Sequence, residues 1–213
     1  MTKQRNPVLK KTRPSVVIAN HPEHDNICYR PLKHVPGNSS YRSIAKVGKK
    51  VVILSDSICH GLNTKELSNS LRNKVVYKKV FPGATPKDLL HYSTRTLQND
   101  KPDMAILNIG TNRIGKEDPF ERAKDIIAIV KSCQKEGCDK VFVSAITTRG
   151  DFPDLVIQLN NILRAWEGKY DYRLIFNDNI DYLCLAKDQH HLNNVGITRL
   201  RANFRNVLEK CHA

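Results

Sequence analysis

The sequence has no long hydrophobic run. No stretch approaches the roughly 18 consecutive apolar residues that a membrane-spanning helix requires, so no span is expected within its 213 residues. The segment from Met1 to Lys11 is basic and polar, and no apolar stretch of the signal-peptide kind follows it. These absences give the expectation of an intracellular protein, cytoplasmic or nuclear. Internal repeats and low-complexity tracts are also missing. No heptad pattern is sustained, which argues against a long coiled-coil dimerisation segment, and nothing speaks to oligomeric state.

Cysteines are few for a disulfide framework and badly spaced for zinc. Cys28, Cys59, Cys133, Cys138, Cys184 and Cys211 are scattered over a chain large enough to need no staples, so reduced thiols are expected. Cys133 and Cys138 lack a second close pair. His21, His24 and Cys28 can be drawn as ligands, but three positions in a polar segment carry little specificity. No metal and no organic cofactor is expected.

Acidic residues are outnumbered, 21 Asp and Glu against 35 Lys and Arg, for a net charge of +14. Residues 1–47 carry nine Lys/Arg and two Asp/Glu, half of that excess in under a quarter of the chain. Such charge favours contact with polyanions such as RNA, DNA or acidic lipid and says nothing about fold. The alternative is a basic solubilising tail. Pro7, Pro14, Pro22, Pro31 and Pro36 recur through the same stretch, which reads as a largely flexible extension in which Arg13 to Ala19 can add an edge strand.

From Lys49 the texture changes. Val51-Val52-Ile53-Leu54 is a short continuous apolar run, as expected of a strand buried on both faces. Similar runs follow at 75–81, 104–109, 141–146 and 174–176. Helical periodicity falls between and after them, at about 62–72, 86–97, 119–135, 155–166 and 195–211. Ala123, Ile126, Ile127, Val130 and Cys133 share one face. Pro86 and Pro119 suit first-turn positions and Gly137 a helix stop. Five alternations of strand and helix predict an α/β domain over 48–213, a three-layer α/β/α sandwich on a five-stranded parallel sheet of flavodoxin-like type.

In such a sheet the site lies beyond the carboxyl ends of the strands. The first strand ends in Ser55-Asp56-Ser57-Ile58, where a serine can face a cleft or merely cap a helix. The second ends near Gly83, which can aim a backbone N–H at an oxyanion or simply make a turn. The third ends in Gly110-Thr111-Asn112-Arg113, where the Asn112 amide can donate to the same oxyanion or form an Asx turn. Before the last helix stands Lys187-Asp188-Gln189-His190-His191-Leu192-Asn193. A carboxylate three residues before a histidine can hold one ring nitrogen and leave the other to take a serine proton. The alternative is a capped helix start with a solvated histidine, and His190 competes with His191.

Taken together in this order, the four blocks resemble the SGNH (GDSL-like) hydrolases. Ser55-Asp56-Ser57 is similar to the Gly-Asp-Ser block, Gly83 to the lone glycine, Gly110-Thr111-Asn112-Arg113 to Gly-x-Asn-Asp, and Asp188 to His191 to the terminal Asp-x-x-His. The resemblance covers about residues 49–213. It implies a serine esterase with Ser57 as nucleophile, His191 as base and Asp188 orienting it. The Ser57 and Gly83 N–H groups and the Asn112 amide then form the oxyanion hole, and no cofactor is needed. The loops around 61–65, 83–87, 113–118 and 147–153 are mostly polar and show no long apolar lid, which gives a short acyl or acetyl ester as the expected substrate.

Two departures stand out. Ser55 replaces a glycine, which stiffens the turn. Arg113 replaces an aspartate, which either favours an anionic substrate or misplaces Asn112. The first block and the basic, proline-containing lead-in from Arg13 to Ser43 further resemble esterase-like domains of LINE-type retrotransposons, and more distantly the SGNH-like domain of Oskar. That likeness implies an alternative function as an RNA-binding module. Its contacts would come from Arg72, Lys74, Lys78, Lys79, Arg113, Lys116, Arg199, Arg201 and Arg205, with Arg113 and Lys116 placed for substrate or nucleic acid.

Overall fold

The protein was analysed as a computed structural model, which describes residues 48–211. The proline-containing extension, its expected edge strand and the His21, His24 and Cys28 set lie outside the described residues. Five parallel strands form one sheet: β1 (Lys49–Ser55), β2 (Lys74–Val80), β3 (Met104–Asn108), β4 (Lys140–Ser144) and β5 (Arg173–Ile175), in the order β2-β1-β3-β4-β5. Five helices connect or follow them: α1 (Thr64–Asn69), α2 (Pro86–Asp100), α3 (Pro119–Lys135), α4 (Pro153–Trp166) and α5 (Asn194–Lys210).

Alternation along the strands divides the core in two. Val52, Leu54, Ala105, Leu107, Val141 and Val143 face α2, α3 and α4, where Leu89, Ile126, Val130, Leu159 and other side chains cover them. Val51, Ile53, Met104, Ile106 and Phe142 face α1 and α5, meeting Leu67, Leu200, Phe204 and Leu208. The expected three-layer α/β/α sandwich is therefore present. Each fully buried Leu or Ile contributes about 1.5–3 kcal/mol, which explains why the central strands are apolar on both faces.

Boundaries differ where polar chemistry overrides periodicity. The first helix is shorter than expected because the Asn63 side chain accepts from the N–H groups of Lys65 and Glu66 and starts it late. Its far end turns into a loop containing left-handed Asn73. By contrast α2 runs on to Asp100 and stops at Lys101, a left-handed cap. A Thr85–Asp88 capping box fixes its start. Among the described residues no helix is long and apolar enough to cross a membrane, and the five described cysteines are free and buried.

The chain direction determines where ligands can reach the sheet. It passes from β1 outward to β2, then returns across β1 to β3. This reversal separates the loops that follow β1 and β3 and opens a crevice at their carboxyl ends.

Candidate active site

The loop after β1 carries Ser57 into that crevice. Asp56 caps a 3-10 turn, Ser57–Cys59, by accepting the Ile58 N–H, so the capping role falls to Asp56 and Ser57 is left with its hydroxyl free. Ser55 ends β1, is fully buried and accepts a hydrogen bond from the Cys59 N–H at 3.4 Å. Its backbone is not left-handed, so no glycine is required there and the departure is accommodated. Neighbouring Cys59 is no rival nucleophile, because burial pushes its thiol up to about 12.

The histidine arrives from the far end of the sequence. Residues 185–192 form a short return loop closed by an antiparallel bridge between Leu185 and Leu192 and by Ala186 N–H donating to His191 O at 2.7 Å. Gln189 turns it in the left-handed region, φ 62°. The loop presents Asp188 under the imidazole of His191. Asp188 Oδ2 lies 2.6 Å from His191 Nδ1, and Oδ1 accepts the N–H groups of His191 at 2.9 Å and His190 at 3.1 Å. The imidazole, followed by those two amides, holds the Asp188 carboxyl well below the usual carboxylate range. On its other side His191 Nε2 is 2.9 Å from Ser57 Oγ. His190 lines the cleft but makes no such contact. Asn193, the alternative cap, does start α5, accepting from Val195 and Gly196.

Gly83 and Asn112 converge on the serine. Phe81-Pro82-Gly83-Ala84 is a type II turn closed by Ala84 N–H to Phe81 O at 3.1 Å. That turn requires φ > 0 at its third residue, and Gly83 has φ 79°. Asn112 donates one amide N–H to Ala84 O at 2.9 Å, which ties the loop after β3 to that turn and leaves its second N–H over. Among the described residues neither the Ser57 nor the Gly83 N–H has a hydrogen-bond partner. Ser57, Gly83, Asn112 and His191 thus line one cleft of about 460 Å³, together with Ile58, Pro82, Thr111, Arg113, Arg149 and His190.

Two arginines that sequence reasoning passed over hold this cleft in shape. Arg122 on α3 is fully buried and donates to the carbonyls of Gly110, Asn112 and Arg113 at 3.3, 2.9 and 2.9 Å, while pairing with Glu117 at 2.9 Å. Arg149 donates to Thr111 O and Oγ1 and forms a two-point pair with Asp151. The signal for Arg122 was its place on the apolar face of α3, beside Ala123 and Ile126. Because of this clamp, the arginine at 113 does not displace Asn112 from the cleft.

Of the positions expected to grip nucleic acid, Lys78, Lys79, Arg199, Arg201 and Arg205 are engaged within the chain, while half-buried Lys74 forms no ion pair among the described residues. Lys78 is a correction: its Nζ donates to the carbonyls of Cys59, His60 and Leu62 at 3.1, 2.6 and 2.7 Å, closing the end of the serine-bearing turn. Lys79 pairs with Asp100, Arg199 with Asp181, Arg201 with Glu66 and Arg205 with Glu209. Arg72, Arg113 and Lys116 are exposed and form no ion pair among the described residues. Of Arg113 and Lys116, only Arg113 lines the cleft.

Asp56 sits beneath the site with 1% exposure, and its Oδ2 has no hydrogen-bond partner. Burial pushes its carboxyl up to about 6, although the nearby N–H groups of Ile58, Thr111 and Gly110 oppose the shift. Between about pH 4 and 6 the folded state therefore holds a proton that the unfolded chain has released. Stability from this group is present at the acid end of the window and lost as pH rises through 6. Asp56→Asn is expected to remove that loss, worth on the order of 2–3 kcal/mol. Urea titrations of both proteins at the two ends of the window test it. Equal pH dependence in the two would show that Asp56 does not titrate in the folded state.

Solved structures with this architecture carry related names. A GDSL-like lipase from Bacteroides thetaiotaomicron superposes with a TM-score of 0.65 at 17% identity, covering 76% of this chain and 88% of its own. A member of the lipolytic G-D-S-L family from Veillonella parvula gives 0.66 at 16%, covering 77% and 100%. An acetyl xylan esterase gives 0.65 at 19%, covering 75% and 99%. No family model and no curated protein matches the sequence. Five parallel strands in this order, flanked by helices on both faces, give the chain the three-layer fold of the GDSL-like hydrolases.

Proposed function

We propose that the protein is a serine hydrolase of carboxylic esters, with short acyl or acetyl esters as the preferred class. One observation carries this reading: Ser57 Oγ, His191 and Asp188 are joined in a line of hydrogen bonds, 2.9 and 2.6 Å, at the mouth of the crevice. Ser57 Oγ attacks the ester carbonyl carbon while His191 Nε2 takes the hydroxyl proton. The carbonyl electrons move to oxygen, where the N–H groups of Ser57 and Gly83 and the free amide N–H of Asn112 receive the charge. Collapse re-forms the carbonyl and breaks the bond to the alcohol oxygen, which takes the proton from His191. Water then attacks the acyl-serine, giving a proton to His191, and the acid leaves as Ser57 Oγ recovers that proton. Asp188 keeps Nδ1 protonated and supports the charged ring. No step calls for a cofactor. A cleft of about 460 Å³ fits a small substrate better than a long acyl chain.

The test is covalent. A fluorophosphonate, which captures only an activated serine, is expected to add to Ser57 and nowhere else, as peptide mass mapping will show. The same protein is expected to hydrolyse p-nitrophenyl acetate until labelled. Absence of both label and turnover would overturn the reading. The rival, an RNA-binding module, draws on the net charge, and the ion pairs of Lys79, Arg199, Arg201 and Arg205 weaken it. Retention on RNA that falls steeply as salt rises is its signature.

A further inference from the structure

We infer that the cleft selects esters whose acyl part ends in a carboxylate, and that Arg113 is the residue that reads that charge. The inference rests on the ester-hydrolase reading of the same cleft and deepens it by naming the substrate class.

Charge balance around the serine is the first support. Among the described residues ten line the cleft, and none of those is an aspartate or glutamate. Two are arginines. Arg149 is already neutralised, with Nε 2.8 Å and one terminal nitrogen 2.7 Å from the two oxygens of Asp151, and its other terminal nitrogen is spent on Thr111. Four of its five donors are engaged. Arg113 has no carboxylate within ion-pair distance among the described residues and is exposed at the cleft. The Asp88 carboxylate accepts the N–H and hydroxyl of Thr85 and keeps its charge, which acts on Arg113 from beyond ion-pair distance. Arg113 therefore lines the same cleft as Ser57 with no ion pair of its own among the described residues. A single fixed positive charge matches a singly charged partner, and the planar fork of the guanidinium matches the two oxygens of a carboxylate.

The second support is how firmly Arg113 is placed. Its backbone is left-handed, φ 55° and ψ 29°, a conformation that an arginine adopts at a cost and glycine or asparagine adopts more readily. The surroundings hold it there. Arg122 and the Lys116 N–H both donate to Arg113 O at 2.9 Å, and Arg122 also holds Asn112 O at 2.9 Å. The same clamp thus fixes Asn112, whose amide faces the reacting carbonyl, and Arg113, the next residue. This places the backbone that carries the charge one residue from Asn112, at the rim of the cleft.

The experiment compares mono-p-nitrophenyl adipate with p-nitrophenyl hexanoate, two esters of equal chain length that differ in one terminal carboxylate. The readout is the ratio of their kcat/KM values after subtraction of the uncatalysed rate, because a general disturbance of the site lowers both and leaves the ratio alone. The wild type is expected to favour the adipate by about tenfold, and rising salt should shrink that preference. Arg113→Asn, which suits the left-handed backbone and removes the charge, is expected to bring the ratio close to one. Arg113→Lys should restore part of it.

Equilibrium binding of the two esters to Ser57→Ala, with and without Arg113→Asn, separates recognition from chemistry. Turnover with no adipate preference in the wild type, or a preference that survives Arg113→Asn, overturns this inference and leaves the esterase standing. No turnover, but tighter binding of the adipate that Arg113→Asn abolishes, supports carboxylate recognition and sinks the hydrolase. Neither turnover nor selective binding overturns both.

Discussion

Ser57→Ala is expected to lower kcat on p-nitrophenyl acetate by about 10⁴–10⁶-fold, and His191→Ala by nearly as much. In the proposed mechanism the serine supplies the bond to carbon and the histidine the proton acceptor, 2.9 Å from it, so loss of either ends the same step. Their effects should therefore not multiply: the double variant is expected to be no slower than the worse single one. Asp188→Asn tests the third member. An amide in that place donates to Nδ1 and drives the ring proton to Nε2, where it blocks acceptance from Ser57, and a loss of about 10²–10⁴-fold follows. Ser57 is only half-buried, and its hydroxyl makes one hydrogen bond worth about 1 kcal/mol, so Ser57→Ala should unfold in urea close to the wild type. Losses that multiply in the double variant would show that the two residues act independently and would sink the triad.

Arg122→Met is expected to destabilise the fold by about 3–5 kcal/mol, the usual cost of breaking a buried charge pair from one side. The wild-type guanidinium satisfies three carbonyls in the loop after β3 and pairs with Glu117, itself partly exposed. A methionine of similar length fills the volume but donates nothing, so three inward-facing carbonyls lose their partner. Arg122→Lys should recover only part of the loss, since one ammonium cannot span carbonyls from three residues. Because the same carbonyls position Asn112 and Arg113, kcat on p-nitrophenyl acetate should fall in both variants even where they remain folded. Urea denaturation and kcat measured side by side test this. An unchanged midpoint would show that water replaces the clamp at no cost.

Much of this site was legible along the chain. The apolar runs at 51–54 and 104–109 gave β1 and β3 because strands buried on both faces cannot alternate with polar residues. Pro119 and Lys135 bounded α3 correctly because a proline at the first turn and the end of a one-faced periodicity are local signals. Ser57, Gly83, Asn112, Asp188 and His191 were each visible as residues at strand ends or before the last helix. The structure brings Ser57, Gly83, Asn112 and His191 into one cleft.

Other features depended on contacts between distant segments. The place of Arg122 on the apolar face of α3 signals burial but not its partners. Its value lies in three carbonyls 9 to 12 residues earlier, and no spacing rule predicts that a cation will turn inward to meet them. Lys78 looked like surface charge and proved to close a turn in the preceding segment. The choice between His190 and His191 was settled by a bridge from Leu185 to Leu192 that turns one ring toward Ser57.

The sequence by itself therefore determined the layers and the parallel α/β class and named the candidate site residues, because periodicity and residue chemistry are local properties. Only the tertiary structure decided which histidine meets the serine and which arginine is spent on Asp151 or on carbonyls. It alone left Arg113 without an ion pair at the cleft among the described residues. Hydrogen-bond satisfaction is counted over all neighbours in space, and the chain brings those neighbours together from segments as far apart as residues 57 and 191.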